Sequence, residues 1–172
     1  GIAEELDRLN EERRAIEGEV QASADLLAQA QEARSVVVVS GHGWHSGVIG
    51  IVAGRLKERF GRPVLVIAIG EDGVGKGSGR SIPGVDLGQA VLAAKEAGLL
   101  AAGGGHAAAA GVTVAEADIA ALADFLDERL GAAVERARDD RALLVDAVLA
   151  PGGLNPLLVE AMEQGGPYGM GW

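Results

Sequence analysis

Two runs of apolar residues constrain the fold of this chain more than any other feature. The segments RSVVVVS (34–40) and RPVLVIAIG (62–70) are rich in β-branched residues, as is typical of strands that are buried on both faces of a sheet. Between them, residues 47–60 place apolar side chains on one side of a helix that stops at Gly61, before Pro63. A strand, a helix and a second strand form a βαβ unit, so we expect the two strands to be parallel.

The segments that follow extend this unit. GVGKGSGRSI (73–82) predicts a short, glycine-loosened strand, and GVTV (111–114) predicts another. Asp86 can cap a helix that reaches about residue 97, and a further helix is expected over about 116–136. The sequence therefore predicts an α/β class, with a mixed β-sheet flanked by helices.

A long helix is predicted before the sheet, over residues 1–33. Its apolar residues fall close to a heptad spacing, at Ile2, Leu6, Leu9, Ile16, Val20 and Leu27. At about 1.5 Å per residue the helix would span about 45 Å, which is more than a small domain can cover. We therefore expect it to lean on something outside the chain; the alternative is a helix that packs on its own domain.

Residues 139–172 predict the beginning of another domain. RALLVDAVLA (141–150) is typical of a strand and NPLLVEAMEQ (155–164) of a short helix, and two such elements are too few for a core. The predicted organisation is a connector helix at 1–33, an α/β domain at 34–138 and a truncated further domain at 139–172.

Composition limits the classes of function. The chain has 172 residues, of which 48% are hydrophobic, with a net charge of −10 and no cysteine. The lack of cysteine excludes disulfides, thiolate metal sites and thiol nucleophiles. The acidic total argues against broad adhesion to nucleic acid or anionic membranes but leaves room for a local basic site. No apolar run approaches about 18 residues and the N-terminus is charged, so we expect neither a membrane span nor a signal peptide, and a cytoplasmic location.

The first candidate site is the segment SGHGWHSGVIG (40–50), between the first strand and the helix. It carries His42 and His45, and the amides around Gly47 and Val48 are expected to be free at the helix start, where an anion can bind. The alternative is that both histidines only cap or pack locally.

The second candidate is GKGSGRS (75–81). In a strand, alternation places Lys76, Ser78 and Arg80 on one face and leaves glycines on the other, and Ser81 follows directly. A guanidinium with a hydroxyl is suited to holding a phosphate. Six of the 15 Lys and Arg residues also concentrate basic charge here, namely Arg55, Lys57, Arg59, Arg62, Lys76 and Arg80. The alternative is a solvated surface strand.

The third candidate is AAGGGHAAAAG (101–111), in which His106 is the only side chain larger than a methyl group. Three successive glycines cost backbone entropy and supply no apolar contacts, which indicates close approach of the backbone to a ligand. We interpret the run as a glycine turn that brings His106 Nε2 and several amides to a phosphate; the alternative is a buried histidine bound to a carbonyl. Only Glu96 is acidic among the ten preceding residues, so we expect no hydrolytic metal centre in this chain.

Together the three segments resemble a known family. WHSGVIGIVAGRLKERFGRPVLVI, GKGSGRSIPGVDLGQAV and GGGHAAAAGVTV, in this order and spacing, closely resemble the DHH-associated domain of the RecJ family of single-strand-specific exonucleases. LDRLNEERRAIE resembles the connector to the catalytic DHH domain, and LLVEAMEQGGPYGMG resembles the entry into an OB-like domain. Trp172 stands where that family usually has asparagine.

The resemblance implies a function and its residues. RecJ enzymes degrade single-stranded DNA from the 5′ end with Mn²⁺ or Mg²⁺, which the DHH domain holds; that domain is expected to be missing here, as is most of the OB-like domain. By motif, Ser78 and Arg80 grip the 5′-terminal phosphate, while His106 is catalytic and faces the metal centre with Gly104 and Gly105. His45 lies at the cleft edge, and Lys76 and Ser81 complete the predicted substrate-binding residues.

The resemblance implies single-stranded DNA as the partner and a role in DNA repair and recombination. The composition indicates no membrane partner, and the lack of converging metal ligands indicates no activity for this chain alone. Two alternatives remain open. One is another DHH-superfamily phosphodiesterase, of the oligoribonuclease, phosphoadenosine phosphatase or cyclic-dinucleotide type, because the glycine–histidine element is shared. The other is a noncatalytic nucleic-acid-binding module.

Overall fold

A computed structural model of the chain describes residues 1–139 and 155–164, together with the single positions 148, 150, 153 and 166. The chain divides into two compact units, residues 1–140 and 141–172. Within the described residues, no helix combines the length and the hydropathy needed to cross a membrane.

The first unit contains the sheet and four of the helices. In chain order its elements are α1 (Ile2–Gln29), β1 (Val37–His42), α2 (Ile49–Phe60), β2 (Val64–Ile69), β3 (Val74–Arg80), α3 (Leu87–Glu96), β4 (Ala102–His106), β5 (Ala109–Ala115), a 3₁₀ turn (Glu116–Asp118) and α4 (Ile119–Asp139).

The five strands form one mixed sheet in the order β1-β2-β3-β5-β4. β1 and β2 are parallel, as their buried β-branched runs predict, and the other neighbours are antiparallel. The predicted α/β class with a mixed sheet is therefore confirmed.

Each face of the sheet has its own core. On one side, which we call the α2 face, Val37, Val64 and Val66 pack with apolar residues of α1 and α2. On the other side, the α3 face, Leu65 and Ile67 pack with residues of α3 and α4. All six residues of β2 are buried, because β2 supplies both cores alternately.

α1 ends at Gln29, four residues before the predicted boundary. The reason is tertiary. The guanidinium of Arg62 donates to three backbone carbonyls of residues 31–34, and the Gln31 amide exchanges hydrogen bonds of 2.7 and 3.1 Å with the backbone of Val38. Burial, followed by the positive charge of the nearby Arg138, lowers the pKa of the Arg62 guanidinium from its ordinary value.

The two halves of α1 differ in their environment. The second half packs on this domain through buried residues Val20, Ala24 and Ala28, so the expectation of support from outside the chain is wrong for that half. Ion pairs join it to α2, from Glu17 to Arg55 at 2.5 Å and from Asp25 to Arg59 at 2.8 Å. The first half exposes Leu6, Leu9 and Ile16, with Leu6 55% accessible.

The predicted glycine turn at 101–111 is wrong. Residues 102–106 form strand β4, which pairs antiparallel with β5 around a tight connection at Ala107 and Ala108. Glycine and alanine lack the β-branched signal of a strand, so only pairing with β5 reveals β4.

In the other elements the boundaries differ from the prediction by a few residues. β1, for example, starts after Ser35 and Val36, whose amides donate to the Asp127 carboxylate at 2.6 and 3.0 Å.

The second unit contains α5 (Pro156–Gln164), within the range predicted as a short helix. Asn155 caps it by accepting the Leu158 amide at 3.0 Å. The predicted strand at 141–150 lies outside the described residues except for two positions, and so does Trp172. The identification of this region as the start of an OB-like domain stays a prediction.

Candidate functional site

The glycines of β3 determine which way its polar side chains point. On the α3 face, a Cβ added to Gly77 would lie 2.6 Å from Val112 and one added to Gly79 would lie 2.7 Å from Leu87. Neighbouring side chains therefore fill the space over these glycines, so larger side chains of β3 cannot lie on the α3 face. The three polar residues between the glycines all lie on the α2 face, namely Lys76, Ser78 and Arg80.

The register of the sheet extends this row of polar residues across β5 to β4. Arg80 is opposite Ala109, which is opposite His106. Ser78 is opposite Gly111, which is opposite Gly104. Because two strand spacings separate the ends of each row, the Cα of Arg80 lies about 10 Å from that of His106, and the Cα of Ser78 lies about 10 Å from that of Gly104.

We call this surface the open face: the α2 side of β3, β5 and β4, with Lys76, Ser78 and Arg80 at one edge and Gly104 and His106 at the other. Gly104, His106 and Gly111 are exposed there, and a shallow depression over the glycines is bordered by Lys76 and Thr113. The structure thus brings five of the predicted site residues together on one surface.

Arg80 is held in place without being neutralised. Its Nη1 donates to Ser78 Oγ at 3.1 Å and to the Gly79 carbonyl at 2.8 Å. A Cβ on Gly50, in the first turn of α2, would lie 3.1 Å from Arg80 Nη2 and 3.2 Å from Ser78 Oγ. Gly50 therefore makes room for the arginine–serine pair. Sequence reasoning missed this residue, although a glycine inside a helix is itself a signal, because it costs stability unless close approach requires it.

The six basic residues of the predicted cluster do not act together. Arg55 and Arg59 pair with carboxylates of α1, Lys57 pairs with Glu58, and Arg62 binds the carbonyls after α1. Among the described residues, Lys76 and Arg80 form no ion pair with a carboxylate. Of these six residues, only Lys76 and Arg80 are therefore available to a ligand, at the edge of the open face.

The two histidines near the end of β1 have local partners. His45 Nδ1 accepts the Gly47 amide at 3.0 Å, and the His45 carbonyl accepts the Val48 amide at 3.1 Å. The two amides that the sequence predicts to be free are therefore occupied, and the expectation of an anion bound by them is wrong. His42 Nε2 lies 2.8 Å from Glu116 Oε1, which connects the end of β1 to the 3₁₀ turn before α4.

Gly104 and Gly105 are adjacent in β4 but differ in their surroundings. A Cβ on Gly105 would lie 2.5 Å from the Cα of Ala110, whereas a Cβ on Gly104 would meet nothing within 4 Å. α3 also approaches the end of β4 closely, since a Cβ on Gly88 would lie 2.8 Å from the His106 carbonyl oxygen. Gly105 is thus required by packing inside the domain, and Gly104 is not.

His106 and Ser81 differ in access. The His106 side chain is exposed and has no hydrogen-bond partner in the described part of the chain. Ser81 is only 6% accessible, and its hydroxyl donates to the Val85 carbonyl at 2.8 Å. The structure therefore does not bring Ser81 to the open face.

The described residues offer no set of ligands for a metal ion. Across residues 1–139 and 155–164, no three histidine, aspartate or glutamate side chains are placed so that they could hold one ion. His106 by itself cannot complete the coordination shell that Mn²⁺ or Mg²⁺ requires.

Comparison with known proteins identifies the domain. The DHHA1 domain family matches residues 33–132. The single-stranded-DNA-specific exonuclease RecJ of Dickeya dadantii is 35% identical over 98% of this chain, and that of Salmonella typhimurium is 37% identical over 98%. The crystal structure of RecJ in complex with Mn²⁺ from Thermus thermophilus superposes with a TM-score of 0.72 at 31% identity, covering 96% of this chain and 24% of that chain.

The chain spans only about 30% of the length of the two RecJ proteins that it matches. The match nevertheless runs through α1, the sheet and the residues beyond α4, because it includes 98% of the chain. The chain therefore belongs to the DHHA1 domain family and is homologous to the RecJ exonucleases.

Proposed function

We propose that this chain is the DNA-binding half of a RecJ-like exonuclease that hydrolyses single-stranded DNA from the 5′ end. The observation that carries the proposal is the open face, where Ser78 and Arg80 lie in register with Gly104 and His106. Lys76 and Arg80 form no ion pair there with a carboxylate of the described residues. Homology to RecJ along 98% of the chain supports it. We further infer a cytoplasmic role in DNA repair and recombination.

In this proposal Arg80 and Ser78 hold the 5′-terminal phosphate. Arg80 uses Nη1 for Ser78 and Gly79, which leaves Nε and Nη2 to donate to phosphate oxygens. The Ser78 oxygen accepts from Arg80, so its own hydrogen is available to the same phosphate. A charge-assisted pair of this kind is stronger than a neutral hydrogen bond, which favours a phosphate over a terminal hydroxyl.

His106 acts at the other end of the row, on the phosphate that is cleaved. An exposed imidazole with no partner among the described residues can donate to a phosphate oxygen and stabilise the charge that develops on it. Gly104 lets the sugar–phosphate backbone lie directly on the sheet beside it. We assign Gly105 and Ser81 to holding the hairpin and the turn after β3 in position, and His45 to the rim.

The metal would come from outside the described residues. RecJ has been crystallised with manganese and with magnesium, and we propose that a DHH domain of the same polypeptide holds the ion opposite the open face. An OB-like domain is the other partner of this chain in the proposed enzyme. No step at the metal follows from the residues present here.

A competition experiment on this chain tests the proposal. A labelled oligomer of single-stranded DNA carrying a 5′-phosphate is displaced by unlabelled oligomers with a 5′-phosphate or a 5′-hydroxyl, at two salt concentrations. We expect weak binding that falls as salt rises, and a preference for the phosphate of about tenfold to hundredfold, as a hydrogen bond to a charged group provides. Arg80→Ala should remove the preference.

The matched control is Arg129→Ala, which removes an exposed cation from α4 and should keep the preference. An Arg80→Ala variant that still prefers the phosphate would contradict the assignment. The same labelled DNA incubated with the chain and Mn²⁺ should yield no mononucleotides. Metal-dependent release that survives repurification would show that the catalytic centre lies within these residues, and cleavage of dinucleotides instead would favour another DHH phosphodiesterase.

A further inference from the structure

A cavity on the α2 face, next to the open face, has no role in the function proposed so far. It lies where β1, β2 and β3 meet the loop after β1, and its lining includes Trp44, Ala68, Asp72 and Lys76. Trp44 is large and apolar and yet only half-buried. Lys76 beside it forms no ion pair with any described residue. A partly exposed aromatic side chain beside such a cation is typical of a ligand site.

The sheet fixes the shape of this cavity. Gly41, Ala68 and Lys76 are opposite one another on β1, β2 and β3. The indole of Trp44 lies on Gly41, since a Cβ there would be 2.5 Å from Nε1 and 2.6 Å from Cδ2. The methyl group of Ala68 is therefore a flat floor, with the indole on one side and the lysine on the other.

The two ends of the cavity carry opposite charges, from Lys76 and Asp72. Lys76 marks the end of the cavity that is nearer to Ser78 and Arg80. Its Cα lies about 7 Å from the Cα of Ser78, because two residues of extended chain separate them. Asp72 lies at the opposite end of the cavity, where its carboxylate accepts the Val74 amide at 3.1 Å. A phosphate is attracted to the lysine end and repelled from the aspartate, whereas a nucleobase is neutral and is not repelled from it.

We propose that this cavity binds the base of the 5′-terminal nucleotide, which stacks on Trp44 while Ser78 and Arg80 hold its phosphate. This proposal rests on the proposed function, because it uses the same terminal phosphate. Stacking on an aromatic ring accepts any base, since every base has a π-face. The site therefore strengthens binding without adding sequence preference, and Lys76 neutralises the backbone between phosphate and base.

The test uses an oligomer that lacks only the terminal base. This chain is titrated with 5′-phosphorylated single-stranded DNA, either intact or with an abasic first nucleotide. We expect the intact oligomer to bind about fivefold to hundredfold more tightly, which is the range measured for stacking on one aromatic residue. Trp44→Leu, which keeps an apolar group over Gly41, should bind both oligomers equally, and Trp44→Phe should keep most of the difference.

A spectroscopic readout does not depend on comparing affinities. The chain has two tryptophans, so Trp172→Phe leaves Trp44 as the only indole. The intact oligomer should quench its fluorescence and the oligomer with an abasic first nucleotide should not, while an abasic third nucleotide should leave quenching unchanged. Lys95→Ala, which removes an exposed cation from the last turn of α3, is the control for charge.

The outcomes separate the two proposals. If the chain prefers a 5′-phosphate through Arg80 but binds intact and abasic oligomers equally, or if Trp44→Leu keeps the full difference, the base site is overturned and the proposed function stands. If the phosphorylated oligomer does not bind, or binds without regard to Arg80, the proposed function fails and the base site with it.

Discussion

β2 and β4 belong to one sheet but have opposite roles. All six residues of β2 are buried, whereas β4 has no buried residue and His106 is its only side chain larger than a methyl group. β2 lies inside the sheet and feeds both cores, while β4 lies at its edge. The comparison teaches that the strand that stabilises this domain and the strand that offers a surface to a ligand are separate, so changes in one should leave the property of the other intact.

The largest effect on stability is expected in β2. Ile67→Ala removes a side chain of the α3-face core that is fully buried and covers Gly75 and Gly77. Such truncations cost about 2–5 kcal/mol of unfolding free energy, because a cavity is left as well as lost apolar contact. Urea denaturation followed by circular dichroism measures it. A loss below about 1 kcal/mol would mean that β2 and β4 do not differ as the burial indicates.

The largest effect on activity is expected in β4. His106→Ala, made in the full-length exonuclease that we propose, should lower turnover about 10²–10³-fold, as loss of one donor to a developing charge does. Its stability should change by less than about 0.5 kcal/mol, because the imidazole is exposed. Single-turnover kinetics and DNA binding measured side by side provide the test. Unchanged turnover with weakened binding would move His106 from the reacting phosphate to a binding role.

The smallest effects come from one methyl group at neighbouring positions of β4. Gly105→Ala should cost about 1–3 kcal/mol, since the methyl group meets backbone at Ala110 that cannot yield. Gly104→Ala points into open space and should leave stability unchanged or raise it by up to about 1 kcal/mol through the unfolded state. On the proposed function the same methyl group weakens binding of single-stranded DNA. Equal stability of both variants, or unaltered DNA binding by Gly104→Ala, would contradict this separation.

Elements whose signals are local were predicted well from the sequence. α3 runs from Leu87 to Glu96, with the Asp86 carboxylate accepting the Gln89 amide at 2.9 Å, as capping predicts. α2 stops at Gly61, which has φ +61°, a conformation that glycine adopts without strain. The alternation of glycine and polar residues in β3 correctly predicted that Lys76, Ser78 and Arg80 share one face.

Features that depend on distant residues were not predictable in this way. The end of α1 depends on Arg62, about 30 residues away, and strand β4 depends on pairing with β5. Gly50 was missed because Ser78 and Arg80 reach it only in the folded domain. Trp44 was missed because the cavity beside it also needs Ala68 and Lys76, which come from β2 and β3. Of the six basic residues in the predicted cluster, Arg55, Arg59 and Arg62 are bound by α1 and by the chain after it. This too could be seen only in the folded domain.

The sequence by itself determined the α/β class, the parallel βαβ unit and the three segments that relate this chain to RecJ, because periodicity, caps and motif spacing are local properties. The tertiary structure alone decided which residues share a surface. Register across β3, β5 and β4 places Arg80 and His106 on one row although 25 residues separate them in the chain. It also distinguishes Gly104 from Gly105, since what a glycine is for depends on whether backbone or open space faces its missing Cβ, and that is set by packing.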